Sequence, residues 1–187
     1  MARKDGETYA EVAIVPLGQQ EGASIKLHYR YKTGSHYALR VTRGESSWSA
    51  RLALAKLPEN IEKQSIGHLF EEHVEEPRVF AAEVGGKRVG WLETGYQGWN
   101  NRMRVWQLLV EEEHRGRGIG ARLMETAIKV AEERGARMLV LETQSCNVQA
   151  IAFYMKLGYE LIGFDSAHYS NEDVEKGEVR LEFGLPL

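Results

Sequence analysis

A glycine-rich, basic turn is the part of the chain best suited to hold a charged ligand. It consists of Arg115, Gly116, Arg117, Gly118, Ile119 and Gly120. Glycine adopts backbone conformations that other residues avoid, and it lets the main chain approach a ligand closely. The free N–H groups at the start of a following helix, the helix dipole and the arginines together form an anion site. The turn therefore predicts a site for a diphosphate.

Two known classes of phosphate-binding loop do not fit this turn. The loop of phosphate-binding ATPases ends in Gly-Lys-Ser or Gly-Lys-Thr, which is absent here. A dinucleotide fold has its glycines after the first strand and an acidic residue about 20 positions later. Several strands precede this turn, and the later position is occupied by apolar Leu139 and Val140. A tight turn with a solvated basic rim remains the alternative explanation.

Composition excludes several other functions. The 187 residues are 43% hydrophobic and 27% charged, which suits a soluble domain with its own core. A net charge of −3 lacks the basic excess of nucleic-acid-binding proteins, so no nucleic-acid partner is predicted. No apolar run reaches transmembrane length, and the single cysteine, Cys146, rules out an internal disulfide. We expect a cytoplasmic protein without membrane association, and the histidines show no metal-ligand spacing.

Hydrophobic periodicity predicts the elements that position the turn. Strands are predicted over residues 79–84, 88–94, 103–110, 138–141, 159–164 and 179–183. Apolar residues three and four apart predict a helix over residues 120–134, with Gly135 as the stop. Asn147 is the predicted N-cap of a second helix that ends at Gly158. This mixed order predicts an α/β or α+β sheet with helices on its faces.

The first 75 residues give a weaker signal. Residues 1–22 are polar and broken by glycine and proline, which predicts a loose segment. Residues 25–32 and 37–43 alternate apolar and polar side chains around Gly34-Ser35, which predicts a hairpin. Pro58 precedes a patchy apolar stripe that predicts a helix over residues 58–73.

The turn and a second motif together resemble the GNAT superfamily of N-acetyltransferases. The superfamily's cofactor signature is Arg/Gln-x-x-Gly-x-Gly/Ala, and it is matched by Arg115, Gly118 and Gly120. The second motif is the run Asn147-x-x-Ala150-x-x-Phe153-Tyr154-x-x-x-Gly158-Tyr159. The resemblance covers residues 78–165 and implies the GNAT fold, with a mixed, mostly antiparallel central sheet flanked by helices. We therefore predict a GNAT domain over residues 76–187, preceded by an N-terminal extension over residues 1–75.

Within the superfamily, residues 141–144, Asn147 and Gly163-Phe164-Asp165 with Tyr169 resemble the streptothricin acetyltransferases. The resemblance implies that an acetyl group passes from acetyl-CoA to a primary amine of a small molecule by direct attack in a ternary complex. It implies cofactor contacts from the end of one strand, from the glycine turn and from the second helix. These residues are Leu108, Leu109, Val110, Arg115, Gly116, Arg117, Gly118, Ile119, Gly120, Ala121, Asn147, Ala150 and Phe153.

Tyr154 is the implied general acid of this reaction. A phenol with a pKa near 10 is close in acidity to an alkyl thiol, so it can protonate the departing sulfur. Many superfamily members place a glutamate base on the strand before the turn, but this chain has Gln107 there, which cannot act as a base. Glu93 and Glu142 are candidates for the base, and so is Asp165.

Asp165, Trp99 and Tyr169 are candidates for binding a cationic acceptor, through charge or an aromatic face. The absence of a carboxylate at Gln107 also fits a second hypothesis, a non-catalytic module that binds acetyl-CoA as a sensor. A protein N-terminus or lysine is the alternative acceptor. The N-terminal extension has three open roles: to complete the sheet, to line the acceptor pocket, or to form the interface of a homodimer.

Overall fold

The computed structural model describes residues 12–187. The strands are β1 (Val12–Pro16), β2 (Lys26–Arg43), β3 (Trp48–His68), β4 (Arg78–Val84), β5 (Lys87–Gln97), β6 (Arg102–Val110), β7 (Met138–Gln144), β8 (Glu160–Asp165) and β9 (Arg180–Pro186). The helices are α1 (Gln19–Gly22), α2 (Ile119–Glu133), α3 (Val148–Lys156) and α4 (Asp173–Lys176), with 3-10 turns at Gly98–Asn100 and Glu112–His114.

Seven of these strands form one mixed sheet in the order β1-β4-β5-β6-β7-β9-β8. Its strands pair antiparallel except for β6 and β7, which run parallel. The predicted α/β (α+β) class with a mostly antiparallel central sheet is confirmed. The strands and helices predicted from residue 79 onward are also observed, with ends that differ by a few residues.

Helix α2 packs its apolar stripe against this sheet. Leu123, Met124 and Ala127 are three and four residues apart and fully buried. They share one core cluster with Leu92 of β5 and Leu139 of β7. Burying one leucine side chain stabilises the fold by about 1.5–3 kcal/mol. This packing fixes the start of α2, and with it the glycine turn, at the end of β6.

A β-bulge interrupts the pairing of β5 with β6. Glu93 pairs with Gln107, but the next residue of β5, Thr94, pairs with Val105, so Trp106 is an extra residue in β6. A bulge bends its strand. Correspondingly, β6 pairs with β7 only from Arg102 to Arg104. Beyond that point the two strands lie unpaired, with residues 106–110 on one side and residues 141–144 on the other. We call the space between them the gap.

Strands β2 and β3 form a separate ribbon. At its base, the fully buried Leu27 packs with Trp91 and Leu109 of the sheet. Farther along β2, Leu39 joins the core cluster that contains Ile151 of α3, and the Tyr37 N–H donates to the Ser145 carbonyl at 2.9 Å. The ribbon therefore runs from β5 and β6 to the end of β7, across the mouth of the gap.

Two structural predictions for this region were wrong. Gly34 is not in a hairpin turn but at a bulge within β2, where an added Cβ would lie 2.2 Å from Asn60 Oδ1. Residues 58–68 belong to β3 and not to a helix. Pro58 lies where residues 57–60 have no partner in β2, a position that tolerates the missing N–H. Long-range strand pairing outweighed the local helix signal here.

The segment predicted to be loose is partly regular. Residues 12–16 pair with β4, from Val12↔Val84 to Pro16↔Phe80, so β1 completes the sheet at one edge. Residues 1–11 lie outside the described part of the chain. The division of the chain near residue 75 remains a prediction. Within residues 12–187, no helix is long and apolar enough to cross a membrane.

Candidate active site

The glycine turn leaves open space in front of α2. Gly116 and Gly118 have φ angles of 75° and 80°, in the left-handed region that favours glycine. Gly118 is the N-cap of the 15-residue helix α2, and no atom of the described residues lies within 4 Å of a Cβ at either glycine. The N–H groups of the first helical turn have no partner within the helix. The predicted anion site is therefore sterically accessible.

The other residues of this turn have distinct surroundings. A Cβ on Gly120 would lie 3.2 Å from Phe153 Cζ, so this glycine lets α3 pack against the start of α2. Ile119 is buried in the core, so only its backbone can face a ligand. Arg117 is exposed and Ala121 is half-buried.

Arg115 connects the turn to its surroundings. Its Nε donates to the Val110 carbonyl at 2.9 Å, and its Nη1 donates to the Arg30 carbonyl of β2 at 3.4 Å. Val110 and Leu108 are half-buried on the gap side of the bulge, whereas Leu109 is buried beneath the ribbon. Arg115 therefore holds together the end of β6, the glycine turn and the ribbon.

Tyr154 lies in α3, and the predicted cap of this helix is confirmed. Asn147 Oδ1 accepts a hydrogen bond from the Ala150 N–H at 3.3 Å. Tyr154 is 9% exposed, and its ring lies 5.4 Å from Phe153 and 6.5 Å from Phe183. Its hydroxyl makes no hydrogen bond to the described residues. Burial raises the pKa of Tyr154 to about 12, so the phenol stays protonated and its proton is uncommitted.

Glu93 is a buried carboxylate on β5. It has no exposed surface, and its Oε1 accepts a hydrogen bond from the Phe70 N–H at 2.6 Å. Its Oε2 is buried with no partner among the described residues. Burial raises the pKa of Glu93 to about 7. The Phe70 hydrogen bond lowers this pKa, and the nearby Glu71 carboxylate raises it. Because Glu93 pairs with Gln107, its carboxylate lies beside the position where a base was expected.

Gln107 is held by two hydrogen bonds. Its Oε1 accepts from the Tyr29 hydroxyl at 2.7 Å, and its Nε2 donates to the His68 carbonyl at 3.2 Å. Burial raises the pKa of Tyr29, and the nearby oxygens of Tyr154 and Glu93 raise it further. Tyr29 of β2 therefore interacts electrostatically with both Tyr154 of α3 and Glu93 of β5.

The end of β7 forms the opposite side of the gap. The Tyr31 hydroxyl donates to Gln144 Oε1 at 2.7 Å and lies 3.3 Å from Cys146 Sγ. Sequence reasoning missed both Tyr29 and Tyr31 as site residues. Their alternate spacing along a strand indicated that they share a side of it, but nothing local indicated that this side faces the gap.

Glu142 lies in a network of ion pairs away from Tyr154. It pairs with Arg180 and, at 3.6 Å, with Arg104 Nη1. Arg104 is 8% exposed and also pairs with Glu182 of β9. The Oε2 of Glu142 is therefore already engaged by two guanidinium groups of the sheet. The structure therefore favours Glu93 over Glu142 as the base.

The three predicted acceptor-binding residues separate into two places. Asp165 ends β8 opposite Arg180, and its carboxylate lies 3.5 Å from His168 Nδ1. The Tyr169 hydroxyl lies near Glu142 and Arg180, at the same end of the sheet. Trp99, in contrast, is 85% exposed in the turn before β6. It lies at the opposite end of this nine-residue strand, roughly 30 Å from the glycine turn, so it is outside the site.

Comparison with known proteins decides the family. A family model described as Acetyltransferase (GNAT) family matches residues 46–159, more than half of the chain. The chain belongs to this family. The match begins inside the ribbon and ends just after Tyr154, so it includes the glycine turn, the gap and α3.

Relatives of this GNAT protein include streptothricin acetyltransferases. Over an aligned stretch of 106 residues, it is 38% identical to a streptothricin acetyltransferase of Streptomyces lavendulae. The aligned stretch makes up 57% of this chain and 56% of that protein. The chain thus spans about half the length of this curated relative.

Solved structures extend the likeness to nearly the whole chain. The crystal structure of nourseothricin acetyltransferase is 29% identical, with a TM-score of 0.72, over 94% of this chain and 98% of that one. A Bacillus anthracis protein solved in complex with acetyl coenzyme A has a TM-score of 0.75 at 21% identity, over 96% and 99% of the two chains. At that identity the second likeness supports the fold alone.

Proposed function

We propose that this GNAT protein is an acetyl-CoA-dependent N-acetyltransferase that acetylates a primary amine of a streptothricin-like small molecule by direct attack in a ternary complex. The observation that carries the proposal is that a buried, unpartnered Glu93 oxygen and the Tyr154 phenol both interact with Tyr29, in a fold whose glycine turn is open. The similarity to streptothricin and nourseothricin acetyltransferases supports the acceptor class. The free Cys146 thiol suits the reducing cytoplasm, where we place the protein.

The described residues fit the cofactor that the family signature implies. The first-turn N–H groups after Gly118 would hold its pyrophosphate, and the unpaired edge of β6 from Leu108 to Val110 would hold its pantetheine arm. Bound acetyl-CoA supplies an acetyl group activated as a thioester. A strand edge without a strand partner, beside an anion site, suits such an elongated, anionic molecule.

The acceptor amine must lose a proton to react. At pH 7, an amine with a pKa near 10.4 is neutral in about one molecule in 2,500, a handicap of about 4.6 kcal/mol. Glu93 has a pKa of about 7 and a free Oε2, so near neutral pH it is partly ionised and able to accept that proton, directly or through one water. Tyr154 Oη donates a proton at the sulfur. From the ammonium form, the net change is one C–N bond formed, one C–S bond broken, one proton moved from nitrogen to sulfur and a second proton released through Glu93 to solvent.

Gly118→Ala tests the cofactor site. We expect the dissociation constant for coenzyme A to rise at least tenfold, because an added Cβ strains a φ of 80° and enters the open space before α2. Isothermal titration calorimetry measures it. Gly135→Ala is the matched control, since Gly135 has a φ of 71° at the other end of α2. Equal losses of coenzyme A affinity in the two variants would refute the assignment of the turn.

The proposed activity is tested by thiol release from acetyl-CoA with a panel of amines. The panel contains streptothricin, free lysine, lysine-containing peptides and peptides with free N-termini. Turnover on streptothricin supports the proposal. Turnover on peptides alone would replace the small-molecule acceptor with a protein. Coenzyme A binding without turnover on any amine would favour the non-catalytic sensor.

A further inference from the structure

Three consecutive residues of β2 join the walls of the gap; we call residues 29–31 the strap. Tyr29 donates to Gln107 on β6 at 2.7 Å, and Tyr31 donates to Gln144 on β7 at 2.7 Å. Between them, the Arg30 carbonyl accepts from Arg115 of the glycine turn at 3.4 Å. The strap is therefore fixed to both edges of the gap and to the predicted anion site.

The bond between Tyr29 and Gln107 has a defined direction. Gln107 donates its Nε2 to the His68 carbonyl at 3.2 Å, which leaves Oε1 as the atom that faces Tyr29. The phenol must therefore be the donor. Its oxygen also faces the backbone N–H of Leu108, and it keeps one further lone pair as an acceptor.

The surroundings of this pair leave little freedom to rearrange. A Cβ on Gly67 of β3 would lie 2.6 Å from Gln107 Oε1 and 2.9 Å from Tyr29 Cε2, so only glycine admits the packing observed. Tyr29 is itself half-buried. The phenol oxygen is thus a fixed acceptor group close to Tyr154 and Glu93, and burial with these neighbours raises its pKa, so it does not ionise.

We propose that Tyr29 binds the acceptor: its phenol oxygen accepts a hydrogen bond from the attacking amine and aligns the nitrogen lone pair with the thioester carbon. This inference rests on the proposed function and gives the N-terminal extension a role at the acceptor side of the gap. Tyr29 keeps its own proton on Gln107, so proton removal is left to Glu93. A primary amine has two N–H groups, so one can donate to Tyr29 while the other gives its proton to Glu93. This arrangement therefore suits a primary amine as the acceptor.

Tyr29→Phe tests the proposal against Tyr37→Phe. Tyr37 lies on the same strand, and its hydroxyl makes no hydrogen bond to the described residues. We expect Tyr29→Phe to raise the KM for streptothricin about tenfold through loss of one hydrogen bond. The KM for acetyl-CoA and the pH dependence of kcat should stay at wild-type values, and kcat should fall less than threefold. Tyr37→Phe should leave all four quantities unchanged.

Several outcomes would overturn the proposal. An unchanged streptothricin KM in Tyr29→Phe, with an active wild type, removes Tyr29 from the acceptor site and leaves the proposed function standing. A raised KM for acetyl-CoA alone would assign Tyr29 to the cofactor. Absence of wild-type turnover on every amine defeats both proposals. Urea unfolding of both variants checks that the ribbon still packs, and an equally large loss of stability and activity in Tyr29→Phe would make its role structural.

Discussion

Replacing Tyr154 by phenylalanine should lower kcat by about a hundredfold while the dissociation constant for coenzyme A stays unchanged. A positioned general acid contributes roughly 10²–10⁴-fold to a rate, and this change removes one oxygen from a side chain whose ring fills the core beside Phe183. The hydroxyl makes no hydrogen bond to the described residues, so its removal leaves no protein group without a partner. Steady-state thiol release and calorimetry measure the two quantities.

Tyr159→Phe is the matched control for Tyr154→Phe. Tyr159 belongs to the same aromatic cluster, 6.2 Å from Tyr154 between ring centres, and its hydroxyl is buried with no partner among the described residues. Its removal should leave kcat unchanged and should not destabilise the protein. If the two variants lose activity equally, or if Tyr154→Phe retains wild-type kcat, Tyr154 is not the acid.

Glu93→Gln should lower kcat/KM by at least a hundredfold and abolish the inflection near pH 7, so that kcat/KM only follows the growing fraction of neutral amine. In the wild type, kcat/KM should rise with pH through about 7, because burial raises the pKa of Glu93 to about 7 and only the ionised carboxylate accepts a proton. The glutamine keeps an oxygen for the Phe70 N–H but cannot take up a proton. A pH series of kcat/KM for both proteins measures this. An identical pH profile in the variant would assign the base elsewhere.

The same substitution should increase stability at high pH. The folded-state pKa of Glu93 lies above its unfolded value of 4.5, so the folded protein binds more protons between these values. The stability associated with Glu93 is therefore complete below pH 4.5 and is lost as the pH rises through about 7. At pH 8 the variant should be more stable than the wild type by up to about 3 kcal/mol, and at pH 5 nearly equal to it. Urea denaturation at both pH values measures this difference.

The second half of the fold follows from local sequence signals. Helix α2 shows a clear apolar stripe before Gly135, and Asn147 caps α3 as expected. Gly85-Gly86 forms the turn between β4 and β5 with two positive φ angles. Each of these features is determined by residues that are close to it in the sequence. That is why the sequence alone assigns the glycine turn and Tyr154 to the correct elements.

The ribbon could not be predicted in the same way. Its strands pair over a register from Lys26↔His68 to Arg43↔Trp48, and such distant pairing leaves only weak local traces. Pro58 begins helices as readily as it interrupts strands, so its presence misled the prediction. The gap depends on one extra residue in β6, which no periodicity within β6 reveals.

The sequence identified several residues of the candidate site, but it did not show which of them lie close together in the fold. Glu93 was one of three candidate bases, but its burial depends on the segment around Phe70 folding over β5. The isolation of Trp99 follows from the direction of β6, which carries it away from the glycine turn. The burial of Glu93 and the position of Trp99 both depend on how the strands pair, and the sequence around either residue does not reveal that pairing.

The short pairing between β6 and β7 leaves two units of the sheet joined by few strand pairs, although α2 packs on strands of both. One unit contains β1, β4, β5 and β6 with α2, and the other contains β7, β9 and β8 with α3, joined in the sheet by three residue pairs. Elements that share few contacts open and close with partly independent free energies. A ligand in the gap would touch both units, and it would therefore add contacts across the seam where β6 and β7 themselves form only three pairs.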